Sequence, residues 1–332
     1  MREESMNEIA FFYEDIHYYW HGVVIAAALA VGLAIAFSAA KTLGVSRKPV
    51  LLTALLSLPS GVLLARLLYW WCASDKFEGM GIFSKLPYGG YALYGAMLGA
   101  LLSAVLVGLF RRSETTIGAL LDCIALGGGA AVSIGRLGAF FTAGEDLGQI
   151  VDNEKLQFFP YAVPDKASGQ WLMAVFVFES LAAAIIAAIL LGKCMRIERT
   201  GNRTHRDGDF GLLFLMYYGC AQALLESLRG DSLYFSFLGL VRMSQAVSAI
   251  IVVIVLVIFS VRVVKARSLS IWKCILIWVA CLGLLVTAFL TELLLNAEIL
   301  LRSYCIMGGC LLVTAILGTV LWRCSCPKPQ EA

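Results

Sequence analysis

An arginine set deep in an apolar stretch is the group best placed to do chemistry in this 332-residue chain. Residues 127–148 read GGGAAVSIGRLGAFFTAGEDLG, so Arg136 lies among glycines and apolar side chains, with the carboxylate pair Glu145-Asp146 just beyond. Inside a bilayer an uncompensated charge costs about 3 kcal/mol or more, which makes an intramembrane ionisable group a candidate functional site by default. A guanidinium keeps its charge and presents a planar fork that matches phosphate oxygens. The chemistry it suits is therefore the holding of an anionic, phosphate-bearing ligand. The same arginine paired with a carboxylate would lock helices together, and the segment alone leaves both readings open. Gly127, Gly128, Gly129, Gly135 and Gly138 allow close approach of a second backbone or of a ligand.

A second set of polar residues has helical spacing. Tyr218, Gln222, Glu226 and Arg229 fall at i, i+4, i+8 and i+11, so they form one stripe along a helix. Such a stripe must face protein or water rather than lipid tails. Glu226 and Arg229 are close enough along it to neutralise each other. Arg66, Tyr94, Glu179 and His21 are further polar residues in or beside apolar runs.

The elements that must position these groups are membrane helices. Apolar residues make up 60% of the chain, charged residues 15%, and the mean hydropathy is +0.83, beyond the range of a soluble domain. Nine runs approach the ~20 residues that cross a bilayer: 22–40, 50–71, 90–110, 117–142, 171–192, 210–229, 234–260, 270–291 and 303–322. The acidic start MREESMNEIAFFYED lacks the basic and apolar regions of a cleavable signal peptide. Connections holding Lys41, Arg47 and Lys48, Arg111 and Arg112, Lys193 to Arg206, Arg262 to Arg267, and Arg323 are basic, whereas the alternate ones are acidic or balanced. Lys and Arg collect on the cytoplasmic side. The fold expected is all-α and polytopic, with about nine spans, the N-terminus outside and the C-terminus inside. The net charge of +3 reflects this bias and is no signal for nucleic acid.

Orientation then sets depth. His21, Arg66, Tyr94, Arg136, Glu179 and the stripe from Tyr218 to Arg229 all fall in the outer half, and arginines outnumber carboxylates within the spans. A pump or channel scatters polar residues along a full path. A one-sided, arginine-rich chamber fits an anionic lipid head group better, so a lipid-handling enzyme is favoured over a small-molecule transporter. The ten cysteines show no CxxC or disulfide pattern, and the three histidines lie far apart, so neither a metal site nor a cofactor is expected.

In order along the chain, Tyr19-Trp20-His21-Gly22, Ala65-Arg66-Leu67-Leu68-Tyr69 and Tyr94-Gly95-Ala96-Met97-Leu98-Gly99 resemble the HWYG, GARLYY and HGGLLG elements of the prolipoprotein diacylglyceryl transferase family. Asp122-Cys123-Ile124-Ala125 is similar to its DLIAP, and Gly135-Arg136-Leu137-Gly138, Gly144-Glu145 and Gly148 resemble its GRIGNFxNGExxG signature. Phe178-Glu179 resembles its YE, Tyr218-Gly219 with Gln222, Glu226, Arg229 and Asp231 its YGxxRFxxEFxR, and Ser244-Gln245-Ala246-Val247-Ser248 its GQxLS. The resemblance covers residues 16–260, seven of the nine spans. It implies a bacterial cytoplasmic-membrane enzyme that moves the diacylglyceryl group of phosphatidylglycerol onto the lipobox cysteine of a prolipoprotein signal peptide. A thioether forms and glycerol phosphate leaves, without a cofactor.

The chain departs from the family pattern where chemistry is expected. Tyr94 stands for a histidine, His21 for a tyrosine, Ala139 for an asparagine and Gln222 for an arginine. Either histidine and tyrosine have exchanged places across one cavity, leaving His21 with Tyr94 to handle protons, or the site is re-tasked and binds lipid or lipoprotein without turnover. On the first reading Arg136, Glu145, Gly148, Gln222, Glu226 and Arg229 contact substrate. Residues 1–262 form the seven-span core, with 143–170 a small extracytoplasmic head over an outer-leaflet cavity. Residues 263–332 add two spans, read equally well as a hairpin packed on the core or as a partner-docking element.

Overall fold

Apolar runs of membrane-spanning length become helices where they were expected. The computed structural model describes residues 9–13, 16–73, 77, 81–84, 90–142, 146–165, 168–200, 205–230, 232–234, 242–293 and 300–326. Among these, nine helices are long and apolar enough to cross a membrane. They are α1 (Trp20–Leu43), α2 (Arg47–Cys72), α3 (Leu93–Phe110), α4 (Ile117–Arg136), α5 (Val175–Thr200), α6 (Asp209–Leu228), α7 (Met243–Lys265), α8 (Ile271–Leu293) and α9 (Leu300–Ser325). Two short antiparallel hairpins join them, β1 (Ile9–Tyr13) with β2 (Ile16–Tyr19) and β3 (Ala162–Pro164) with β4 (Trp171–Met173). Residues 171–173, expected inside the fifth span, belong to β4, and the seventh span starts at Met243 rather than 234.

Local chemistry fixes the helix ends. Gly44 takes the left-handed conformation at φ 69° and returns its N–H to the carbonyls of Ala40 and Lys41, closing α1. The Thr116 hydroxyl accepts from the N–H of Ala119 at 3.1 Å and opens α4.

Small residues set how closely the helices pack, as expected where lipid offers no hydrophobic drive for association. Across α2 and α3 the Ser60 hydroxyl lies 3.0 Å from the Gly99 carbonyl and 2.9 Å from the Ser103 hydroxyl. Where α1 crosses α4, Gly32 and Gly127 face each other, and a Cβ on Gly127 would collide with the Gly32 carbonyl oxygen. Gly127→Ala should therefore separate the two helices and cost about 1–3 kcal/mol. Thermal unfolding in detergent should show a midpoint several degrees lower; an unchanged midpoint would contradict this packing.

The α8–α9 addition is packed on the core. Tyr217 in α6 bonds Thr319 at 2.8 Å, Trp278 donates to Ser260 at 2.9 Å, and Trp322 donates to Asp209 at 3.0 Å. One end of the bundle collects the N-termini of α1, α3, α5, α7 and α9 and the C-termini of α2, α4, α6 and α8. His21, Arg66, Tyr94, Arg136, Glu179, Arg229 and Arg242 all lie there.

One expectation needs correction. Polar groups are not confined to that end. At the other, Asp122 is fully buried and accepts from the N–H groups of Gly208 at 2.8 Å and Gly211 at 3.0 Å, while Asp209 takes Arg262 at 2.5 Å. These carboxylates cap the start of α6, whose free N–H groups favour an anion. Roughly 21 Å of helix separates Asp122 from Arg136 at 1.5 Å per residue. The interval is filled by Cys123, Leu126, Leu213 and Phe214, all buried, so among the described residues the two polar clusters are not joined. Arg66, at the first end, is buried. It donates to the carbonyls of Ile82 and Gly90 at 3.0 Å and of Ser84 at 2.5 Å, between the rings of Phe77 and Tyr91. Loop carbonyls replace water as its partners.

Candidate active site

Two arginines from two helix ends converge on the same pair of carboxylates. Arg136 is the last residue of α4, where the chain tightens into a 3₁₀ turn over Leu137–Phe141. Arg229 follows the last residue of α6 in an extended conformation and pairs with Gly148 in an isolated bridge. Asp146 lies between them. One carboxylate oxygen is 2.9 Å from Arg136 Nη1, and the other is paired with Arg229 Nη2. Beneath, Glu179 in the second turn of α5 is fully buried, with Oε2 3.0 Å from Arg136 Nε and Oε1 3.5 Å from Arg229 Nη1. The first of these is a charge contact rather than an aligned hydrogen bond. Glu179 Oε1 also accepts from Gln222 Nε2 at 3.0 Å.

Asp146 is set by its surroundings. Its backbone is left-handed at φ 57°, a conformation that aspartate tolerates better than most residues. Burial acts to raise its carboxyl, but the guanidiniums of Arg136 and Arg229 outweigh it and hold the group below the ordinary carboxylate value. A depressed folded-state value means the contact is fully present above the ordinary carboxylate range and is lost only as pH falls through the depressed one. The cluster therefore stays assembled through neutral pH.

The stripe on α6 lies against this cluster. Gln222 and Glu226 are buried, with Gln222 Nε2 3.4 Å from Glu226 Oε2, and the Tyr218 ring stacks on Phe214 beside Arg136. The Glu226 carbonyl accepts from Arg242 Nη1 at 2.5 Å and from the Ser232 hydroxyl at 3.1 Å. Gly148 has no room for a side chain. An added Cβ would stand 2.6 Å from the Leu228 carbonyl and 2.7 Å from Val175, while its N–H donates to Met173 at 2.8 Å.

Arg136, Gly148, Gln222, Glu226 and Arg229 are thus brought together. Glu145 lies outside the described residues, as do Gly144 and Asp231. Among the described residues no hydrogen bond joins His21 and Tyr94. Tyr94 is buried with its hydroxyl 2.5 Å from Ser248 on α7. His21 packs on the 3₁₀ turn, where a Cβ on Gly138 would lie 3.1 Å from its Nδ1, a buried atom with no hydrogen-bond partner among the described residues. Trp20 stacks nearby on Phe141 with centroids 5.9 Å apart.

The chamber is not the arginine-rich site expected. Asp146 and Glu179 balance Arg136 and Arg229, and Arg66 is engaged elsewhere. Neither carboxylate stood among the candidate substrate contacts. Glu179 carried a signal, a charge two turns into an apolar run. Asp146 carried almost none beside Glu145.

Comparison with known proteins matches residues 8–261 to the sequence model of a family described as prolipoprotein diacylglyceryl transferase. Relatives named phosphatidylglycerol–prolipoprotein diacylglyceryl transferase include one from Clostridium novyi (strain NT), 27% identical over 271 residues, which are 79% of this chain and 98% of the relative. One from Lactobacillus delbrueckii subsp. bulgaricus is 28% identical over 274 residues, 79% and 93% of the two chains. One from Listeria monocytogenes is 27% identical over 255 residues, 76% and 88%.

Proposed function

The chain belongs to the prolipoprotein diacylglyceryl transferase family, and we propose from that premise that it transfers the diacylglyceryl group of phosphatidylglycerol to the lipobox cysteine of a prolipoprotein. The observation that supports the site is the convergence of Arg136 and Arg229, from two helices, on the single carboxylate of Asp146. A fork of two guanidiniums that accepts a carboxylate accepts phosphate oxygens equally well. The head-group phosphate takes the place of Asp146, which swings outward, while the buried Glu179 keeps both arginines in register from below.

Atoms balance as follows. The cysteine sulfur attacks the glycerol carbon that bears the phosphate and forms the thioether bond. The carbon–oxygen bond to phosphate breaks, and glycerol phosphate leaves with the electron pair. The thiol proton passes to a base, a step that needs help because an ordinary thiol titrates near ~8.5. Arg136 and Arg229 stabilise the charge that grows on the departing phosphate.

His21 is the base in this reading, since its Nδ1 is buried without a hydrogen-bond partner among the described residues and its ring packs on Gly138, two residues past Arg136. Tyr94, fixed on Ser248 and close to Glu226, supports the proton path. Glu145 and Gly148 complete the substrate contacts in this reading. Basic connections at the opposite end of the bundle support an outward-facing site in the bacterial cytoplasmic membrane, the N-terminus outside and the C-terminus inside. Residues 143–170 then form the extracytoplasmic head where the prolipoprotein arrives.

The test uses purified protein in phosphatidylglycerol vesicles with a lipobox peptide, following thioether formation and glycerol phosphate release together. Folded protein that yields neither product would overturn the reading in favour of a relative that binds lipid without turnover. In the same assay His21→Gln should lower kcat about 100-fold and leave KM for phosphatidylglycerol within about twofold, because it removes a proton acceptor and no phosphate contact. Unchanged kcat would remove His21 from the chemistry.

A further inference from the structure

The family match ends at residue 261, and α8 and α9 lie beyond it. The Clostridium novyi relative is matched over 98% of its own length by only 79% of this chain, so the addition has no counterpart there. Two of its side chains nevertheless reach the end of α6 that carries Arg229. The Tyr304 hydroxyl on α9 donates to the Ser227 carbonyl at 3.3 Å and accepts from Gln149 Nε2 at 3.1 Å. Gln149 follows Gly148, which is itself bridged to Arg229. Glu292 on α8 lies 3.5 Å from Arg242 Nη1, and that guanidinium donates to the Glu226 carbonyl.

The last four carbonyls of a helix lack partners inside it and form its negative end. Here Ser227 accepts from Tyr304 on α9, and Glu226 accepts from Arg242, the partner of Glu292 on α8, as well as from the Ser232 hydroxyl and the N–H of Arg229. The added helices thus share in holding the turn through which the chain leaves α6 and which carries Arg229. Among the described residues neither Tyr304 nor Glu292 is bonded to the Arg136–Asp146–Arg229–Glu179 cluster, so their action on it is indirect.

We propose that the C-terminal helix pair is a positioning element of the phosphate site, acting through Tyr304 and Glu292 to fix Arg229. This rests on the reading that Arg229 holds the head-group phosphate of phosphatidylglycerol. The experiment uses the full chain with Tyr304→Phe and Glu292→Gln, each made alone and in an Arg229→Ala background. Two readouts are taken: phosphatidylglycerol retained on the purified protein during a lipid titration by native mass spectrometry, and turnover with the lipobox peptide. Each single variant should weaken retention about threefold to tenfold, the scale of one lost hydrogen bond. KM for phosphatidylglycerol should rise in parallel, with kcat nearly unchanged. In the Arg229→Ala background neither change should have a further effect, because the group being positioned is gone.

A merely structural contact would lower thermal stability and weaken retention equally in both backgrounds, and that result would overturn the proposal. So would unaltered retention in both single variants, or wild-type protein that retains no phosphatidylglycerol. Wild type that retains lipid in an Arg229-dependent way without turning it over would defeat the transferase reading alone, and the retention cycle would still decide the positioning role.

Discussion

Arg136→Ala is expected to reduce thioether formation about 100-fold to 1,000-fold, measured with purified protein in phosphatidylglycerol vesicles. Removing one cation or donor aimed at developing charge costs about 3–4 kcal/mol in transition-state stabilisation. Arg136 contributes Nη1 to the Asp146 seat and Nε to Glu179, so its loss opens the fork and leaves Glu179 with Arg229 and Gln222 alone. A neutral cluster becomes one with an excess negative charge, which repels a phosphate. Arg136→Lys separates charge from shape: it keeps the cation but loses the planar fork, and should retain more turnover than alanine while remaining at least tenfold below wild type. Both must be assayed below their own unfolding temperatures, since the alanine variant is also less stable. Alanine turnover within about threefold of wild type would show that the phosphate is held elsewhere.

What could be read in the chain and what could not divides along physical lines. The nine spans were legible because a bilayer demands a long apolar run for each crossing. The stripe from Tyr218 to Arg229 was legible because helical periodicity puts its members on one face whatever they contact. Glu179 could be assigned a depth, but not its partners, since pairing across antiparallel helices is a tertiary fact. The role of Asp146 depends on a left-handed backbone at one loop residue, which turns its carboxylate toward the arginines. The partners of Arg66 were not legible because its acceptors are loop carbonyls, and backbone groups leave no trace in residue type. Asp122 bonds N–H groups 86 and 89 residues away at the start of α6, equally silent in sequence. The added helices showed only that they span. That Tyr304 and Glu292 reach the end of α6 required the fold.

Glu179→Ala carries the second large effect, and it falls on stability. Glu179 is fully buried and is the meeting point of Arg136, Arg229 and Gln222, drawn from α4, α6 and the turn that follows. Removing one partner of a buried ionic group typically costs about 3–5 kcal/mol, because the remaining charges stay out of water without compensation. The unfolding midpoint in detergent should fall roughly 5–10 °C, on the scaling of ~2 °C per kcal/mol for large chains. Glu179→Gln distinguishes the packing role from the charge. Its amide oxygen still accepts from Gln222 and refills the space, but the guanidiniums stay uncompensated, so only part of the stability should return. The cluster now holds two guanidiniums against Asp146 alone, and that surplus positive charge favours a phosphate. KM for phosphatidylglycerol should accordingly be no higher than in wild type, even where kcat falls through looser placement of the arginines. An alanine variant that melts with wild type would mean the ion cluster is not what joins α4, α5 and α6 at this end. A glutamine variant with a raised KM would mean that Glu179 acts through its charge on the arginines rather than by holding them in place.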